Sequence, residues 1–452
     1  MDNQLLVRVY NVGLGDCIYL RVPDEDRAKH LLIDCGNKYS DSKHLKAAIA
    51  NLKEILPEDP ATGQRRLDLL VATHAHEDHV KGFDPDLFAG LRIDRLWMST
   101  AMDPDHPQAE KAQALQALAL QALQSLALSP NAGLADWAES MLALSKSGGM
   151  DALLETLPVG QRLYVHTETS PQSLKLFEDA DTSLRVLAPV NDIDGVYLGE
   201  ETAAALTGFQ AFLDATETGA AETGEASPQP APAAVPAKPA TPANVSSEDF
   251  ELLRGNLTDR ALAFVLKEGE LVNNTSVVLL LKWRGRRLLF TGDAEVKLSS
   301  KGEYQAGKAN GSWNTMWHHF GETELAEPVD FLKVGHHGSY NATPWTVKKS
   351  GDAEHPINTI LNRLLPLPAE GQPRPERYAV VSTERTNGYP TIPDPALMME
   401  LGRRVSNIQG YQEPATKKHF VPAGEMQPQR TDLERDGEER VPWIDVKLSP
   451  LT

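Results

Sequence analysis

Cysteine, aromatic residues, long apolar runs and an excess of base are all scarce in this chain of 452 residues. It has two cysteines, Cys17 and Cys35, so a disulfide framework cannot hold the fold and a large core must. Both fall in apolar stretches that read as core strands, where reduced packing residues are expected rather than a disulfide. Aromatic residues make up 6% of the chain against 41% hydrophobic residues in all, so aliphatic side chains have to supply that core. No apolar run approaches the roughly 20 residues that span a bilayer, and the first residues read as a strand rather than an export signal. A cytoplasmic location without membrane association is therefore the expectation. Lys and Arg number 44 against 63 Asp and Glu, for a net charge of −19, which argues against a protein that coats nucleic acid non-specifically. No phosphate-cradling P-loop, no nucleophile elbow and no repeat of 20–50 residues is present.

What the chain does contain is THAHEDH at residues 73–79. This string sets His74, His76, Asp78 and His79 in the HxHxDH spacing that gathers metal ions. His74 and His76 alternate on one side of an extended segment, and Asp78 and His79 turn back to face them. Imidazole nitrogen with carboxylate oxygen suits Zn²⁺ and related transition metals, and an unsaturated ligand set keeps a position for water, as catalytic sites do. The bland alternative is a solvated His-rich loop. Against it stands the preceding LDLLVATH, an apolar run that reads as a buried strand delivering its ligands at the C-terminal end, where open α/β sheets carry their chemistry. Gly82 then lets the chain turn away.

Other strand ends finish in the same residue types. LLVRVYNVGLGDCIYLRV and HLLIDCG read as strands around a Gly-rich turn, with Asp34 closing the third. Far downstream, NNTSVVLLLKWRGRRLLFTGDAE reads as two β-rich runs joined at Arg284 and Gly285, with Asp293 directly after the second. VDFLKVGHHGS then places His336 and His337 at the end of another apolar strand.

Taken in order, NVGLGDCIYL, LLIDCG, THAHEDHVKG, LRVLAP, NNTSVVLLL, LLFTGDAE and LKVGHHGS resemble the metallo-β-lactamase superfamily over residues 5–340. Within it the resemblance is to the soluble hydrolase domain of the ComEC competence-protein family. It implies an α/β fold, the metallo-β-lactamase αββα four-layer sandwich, with a dinuclear metal centre along one edge. It further implies that His74 and His76 bind the first metal, Asp78 and His79 the second, and that Asp293 bridges them. Of the adjacent pair His336 and His337, His336 is expected to complete the second site. Asp34 is expected to orient the ligands from behind, as are Asn273, Asn274, Ser276 and Ser339. Asp78, His337 and Lys333 are the candidates for catalytic work around two divalent ions, Zn or Mn, with Asp78 orienting an attacking hydroxide or taking its proton. Lys81 and Lys333 flank the metal motifs, and Lys348, Lys349, Arg363, Arg374 and Arg377 follow HHGS, so that some of them can contact substrate phosphate.

Two departures from the wider pattern bear on this transfer. Between HxHxDH and Asp293 the chain has only His106 and His166, neither in a motif that brings a further His to the first metal, and both read as ordinary surface or strand-end residues. ComEC-like members share this absence, with an Asn/Ser element such as Asn273, Asn274 and Ser276 in its place, which weakens zinc preference. Nearer the C-terminus, TNGYPTIPDPAL lacks the His of the ComEC-like Asn-x-Tyr-Gly-His-Pro element, leaving Asn387 and Tyr389 to keep the loop shape. His318 and His319 are candidate substitutes, although helix or loop packing explains them more simply.

The expected organisation is a split sandwich, with its N-terminal half at 1–100 and its C-terminal half and extension at 250–452. A helical insertion fills 101–160, a continuation with an insertion 161–215, and a disordered Pro/Ala-rich linker 216–249. Ala109–Leu128, Ala135–Lys146 and Asp151–Leu157 read as helices of that insertion, through which the chain can oligomerise. RVPWIDVKL reads as a late edge strand. The function expected is phosphodiester hydrolysis of nucleic acid or nucleotides. Alternatives are a lactone, ester or thioester hydrolase, and a noncatalytic metal-binding sensor or assembly subunit.

Overall fold

Apolar runs buried on both faces decide most of the architecture. The computed structural model describes residues 3–38, 43–60, 62–108, 148–198, 269–299, 301–307, 311–347, 354–370, 376–382, 392–405 and 443–451, with 123, 124, 127 and 135. The chain divides into two compact units, one of Met1–His106, Lys146–Tyr197 and Leu271–Thr452, the other of Pro107–Ser145 and Leu198–Glu270. Both sheets belong to the first unit.

The larger sheet holds β1 (Leu5–Tyr10), β2 (Cys17–Val22), β3 (Lys29–Cys35), β4 (Arg65–Leu67), β5 (Leu69–Ala72), β6 (Leu91–Ser99), β7 (Val159–Val165) and β13 (Trp443–Leu448). Its order is β13-β1-β2-β3-β5-β6-β4, with β7 also on β6. β1 to β3 pair antiparallel, whereas β3, β5, β6 and β7 run parallel. The smaller sheet is β12-β11-β10-β9-β8, built from β8 (Thr182–Ala188), β9 (Val278–Trp283), β10 (Arg286–Phe290), β11 (Phe331–Lys333) and β12 (Tyr378–Val380). Arg284 and Gly285, with φ of 44° and 83°, make the tight turn from β9 to β10, as their sequence suggests.

Alternation along the strands builds three apolar layers. Leu5, Val7, Ile18, Leu20, Leu31 and Val71 of the larger sheet meet Val186, Leu279, Leu281, Trp283 and Phe290 of the smaller one. The outer face of the larger sheet, including Tyr19, Leu32 and Leu70, is covered by Leu45, Ala48, Ile49 and Leu52 of α1 (Lys43–Ile55). Val278, Leu280 and Leu332 on the far side pack under α3 (Ser312–Phe320), α4 (Asn358–Leu364) and α5 (Pro395–Arg404) through Trp313, Ile360, Leu361 and Leu401. The result is the four-layer αββα sandwich. It explains why VVLLL is apolar without a break, since β9 is buried on both faces.

RVPWIDVKL contributes β13, antiparallel to β1 at the end of the larger sheet, as expected. Cys17 and Cys35 lie opposite one another in β2 and β3 as free thiols, with sulfurs 3.9 Å apart. Of the expected helical insertion, the stretch near Asp151–Leu157 forms helical turns, Gly149–Asp151 and Ala152–Thr156, whose Ala152 and Leu153 pack into the outer layer of the larger sheet. Nearly all of Ala109–Leu128 and Ala135–Lys146, and the whole 216–249 linker, lie outside the described residues. Among the described residues no helix is long and apolar enough to cross a membrane.

Leu279 is fully buried between the sheets, whereas Leu367 is 45% exposed. Leu279→Ala is expected to cost roughly 2–5 kcal/mol in urea unfolding through lost transfer energy and a cavity. Leu367→Ala should stay within about 0.5 kcal/mol; equal costs would contradict this layering.

Candidate metal centre

Four strand ends, two from each sheet, converge on one edge of the sandwich. β3 ends beyond Asp34, held at φ 56°, whose carboxylate accepts both the backbone N–H and the hydroxyl of Thr73 at 2.7 Å each. That pair docks the end of β5 onto β3 and launches the loop carrying His74 and His76 into α2 (Glu77–Val80). Gly36 permits the approach, because a Cβ there would lie 2.4 Å from the Glu77 carbonyl oxygen. From the other sheet, the chain leaves β10 through Thr291 and Gly292 to Asp293, and leaves β11 for His336 and His337.

Two ligand groups result, each with donor atoms within 4.8 Å of one another: His74, His76 and Asp293, and Asp78, His79 and His337. Asp293 addresses both, with Oδ2 3.7 Å from His74 Nε2 and Oδ1 3.2 Å from His79 Nε2. His74 Nε2 lies 3.1 Å from His76 Nδ1, and His337 Nε2 lies 3.0 Å from Asp78 Oδ2. Two of the rings, His79 and His74, are tied down on their far sides. Asp34 Oδ2 sits 2.8 Å from His79 Nδ1, while the hydroxyls of Ser276 and Thr73 reach His74 Nδ1 at 3.2 and 3.1 Å. Ser276 Oγ also accepts the Asp293 N–H, so one side chain aligns a residue of each strand end. Buried His79 Nε2 has no hydrogen-bond partner although a carboxylate faces it, and with three further imidazoles and two carboxylates beside it the donor set fits divalent cations.

His336, the ligand expected, lies outside both groups, and its neighbour His337 stands in one of them. His337, only 3% exposed, joins Asp78 and His79, whereas His336 turns its Nδ1 to within 3.1 Å of Glu295 Oε1 and donates its backbone N–H to Asp293 Oδ1. Both adopt positive φ, 41° and 55°, so strand alternation does not decide which ring faces the ligands. Lys333 also departs from expectation. It is 1% exposed, and its ammonium is bound to Asp16 Oδ2 at 2.9 Å and to the Val334 carbonyl at 2.8 Å, leaving it no route to a substrate phosphate.

Other expected residues support the centre from further out. Asn273 and Asn274 donate to Glu295 at 2.9 and 3.4 Å, and Ser339 donates to Asn341, fixing the turn after HHG. His106 is buried against Asn191 rather than set at the surface, His166 follows the end of β7, and neither belongs to a ligand group among the described residues. His318 and His319 are exposed on α3. Arg363 is engaged by Glu322, the Gly321 carbonyl and the face of Trp317. Lys348, Lys349, Arg374, Asn387 and Tyr389 lie outside the described residues.

Three residues were passed over by motif reasoning. Asp16 stands in GLGD and Glu295 two residues after Asp293, and neither shows its role in the sequence because their partners are remote along the chain. Half-buried Lys38, which follows the Gly36 contact, carries a charge felt at His76 and Asp78.

Burial and charge pull the histidines apart. Burial lowers His74 well below the ordinary imidazole range and brings His76 down to about 4. It works against a proton on His79 too, but Asp293 and Asp34 overcome it and hold that imidazole well above its usual range. Burial likewise opposes ionised Asp78 and Asp293; the hydrogen bond from His337 and the charge of His79, respectively, prevail and keep both well below the usual carboxylate range.

Residues 10–85 match the family model of the metallo-beta-lactamase superfamily. The match takes in β2, β3, β5 and the whole His74–His79 loop, and its members are for the most part hydrolases that bind divalent metals. No curated protein matches the chain.

A proton on His79 and a metal on its Nε2 exclude one another. Because His79 holds its proton to higher pH than a free imidazole, metal affinity should climb as pH rises through neutrality, by up to about tenfold per unit for each proton displaced. Zn²⁺ titration calorimetry in buffers of different ionisation enthalpy should register that proton release; heats independent of buffer would refute it.

Proposed function

We propose that the protein is a dinuclear metal-dependent hydrolase of phosphodiesters, acting on nucleic acid or a nucleotide. The observation that carries this reading is Asp293, one carboxylate with an oxygen turned to each ligand group. His74, His76 and Asp293 would hold one ion, and Asp78, His79 and His337, with the other oxygen of Asp293, the second. Zn²⁺ or Mn²⁺ in such a pair supplies Lewis-acid polarisation and makes water a nucleophile near neutral pH.

The protein's own groups do the positioning. Asp34, Ser276 and Thr73 lock His79 and His74 in the tautomers that turn their Nε2 atoms to the centre. Asp78, ionised and held at Oδ2 by His337, suits orientation of an incoming nucleophile better than acceptance of its proton, because its low pKa makes it a weak base. The HHGS motif after GD, shared with ComEC-like hydrolase domains, supports phosphodiesters over lactones, esters and thioesters. A first group of two imidazoles and one carboxylate suits catalytic Zn²⁺, and with no thiolate and one nitrogen fewer than a three-His set it accepts Mn²⁺ as well.

Protein loaded with Mn²⁺ or Zn²⁺ should cleave bis-p-nitrophenyl phosphate or an oligonucleotide. Changing groups that merely orient ligands costs roughly 10–100-fold, so His76→Ala and Asp293→Asn should each lower kcat/KM by more than about a hundredfold. Equal cleavage by wild type and variants would sink the proposal, and turnover of chromogenic esters or lactones alone would transfer it to the carboxylic class.

A further inference from the structure

Asp16 is a fully buried carboxylate to which the proposed chemistry gives no task. Its Oδ2 lies 2.9 Å from the Lys333 ammonium, and Ser382, just past β12, donates its hydroxyl to Oδ1. Asp16 and Lys333 are each 1% exposed, so the pair is a desolvated one rather than a surface salt bridge.

Its placement is what gives it meaning. Asp16 immediately precedes β2 in the larger sheet, and its backbone N–H donates to the Asp78 carbonyl at 3.0 Å while its own carbonyl accepts from Gly36 at 3.0 Å. Lys333 closes β11 in the smaller sheet, paired with Phe290 of β10 and Val380 of β12, and stands four residues before His337. Thr291, on the way to Asp293, donates its hydroxyl to the Lys333 carbonyl at 3.0 Å. One end of the ion pair thus grips the loop of Asp78, and the other the strand that delivers His337. The contact between those two ligands, 3.0 Å long, is itself a contact between sheets.

A second geometric fact points the same way. Asp16, Asp34 and His79 form a further group whose donor atoms lie within 4.8 Å of one another. With Lys333 on it, Asp16 is committed to a fixed internal cation and does not compete for an ion that belongs to the neighbouring groups.

We propose that Asp16 and Lys333 are positioning residues, a buried cross-sheet pin that sets the Asp78–His337 spacing and so builds the second metal position. The inference rests on the dinuclear reading above. Without the pin, the His74–His76–Asp293 position should survive, since its supports, Thr73, Ser276 and Asp34, do not pass through either residue.

Asp16→Asn and Lys333→Met each remove one charge at nearly constant shape, and the Asp16→Asn/Lys333→Met double variant removes both. Either single change leaves a buried charge unpaired and should lower the Tm, whereas the double variant should regain most of that loss. The deciding measurement is Co²⁺ titration of the full chain, followed by the visible spectrum and by metal content. Wild type should take up two ions, and in the double variant the second should bind at least about tenfold more weakly with an altered spectrum while the first is unchanged. A double variant that binds both ions as wild type does would overturn the positioning role and leave the dinuclear reading standing. Equal weakening of both ions would overturn it as well, showing general support of the site instead. Wild type binding fewer than two ions would overturn both readings.

Discussion

Closure of two sheets over one apolar layer is the constraint on which everything else depends. His74, His76, Asp78 and His79 hang from strand ends of the larger sheet, and Asp293, His336 and His337 from strand ends of the smaller one. Neither half has a complete set of ligands. Burial of Leu279, Leu281, Trp283 and Phe290 against Leu20, Leu31 and Val71 is what sets the distance between the halves. The hydrophobic effect is non-directional, so it brings the edges together without fixing their register to the fraction of an ångström that a metal site needs. Directional contacts across the seam, Asp78 to His337 and Ser276 to His74, supply that register, and the Ser276 hydroxyl fixes the Asp293 N–H on its own side.

Backbone strain is distributed according to the same logic. Four residues other than glycine have positive φ among the described residues: Asp34, Arg284, His336 and His337. Arg284 belongs to a hairpin turn that requires it, and the other three stand at the centre. Left-handed backbone at side chains this size costs of order 1–3 kcal/mol each and persists only where the surroundings over-determine it. Here the surroundings are visible. Asp34 is held by Thr73 and His79, and the His336 N–H by the Asp293 carboxylate, so the ligand network opposes the strain it creates.

The same division separates what the sequence discloses from what it conceals. Strands β1, β2, β3, β5, β9 and β10 are legible because strands buried on both faces are mostly apolar, and THAHEDH is legible because its members are close in sequence. β13 is legible from a different signal, the alternation of apolar and polar residues in IDVKL. The choice between His336 and His337 was not, because reading a face from alternation presumes extended backbone, and both residues leave it. Nor was the burial of Lys333. A lysine at a strand end is ordinarily solvated, and only the carboxylate of Asp16, remote in sequence, explains why this one is not. Glu295 illustrates the case in between, inside a motif yet defined by Asn273, Asn274 and His336, which two other segments bring to it.

Charge closes the argument. Asp16, Asp34, Asp78, Asp293 and Glu295 are all buried within one small region, an arrangement that isolated carboxylates could not sustain. Lys333 answers Asp16 with its ammonium 2.9 Å from Oδ2. His79 answers Asp34 and Asp293 in a different way, since the field of those two carboxylates favours whatever cation sits on its ring, a proton or a metal ion. A proton on His79 and a metal on its Nε2 are alternatives, because the same two carboxylates favour either. Binding is then an exchange of cations within a preformed negative cage rather than the creation of charge in the interior, and it stabilises the fold to the extent that the metal outbids the proton.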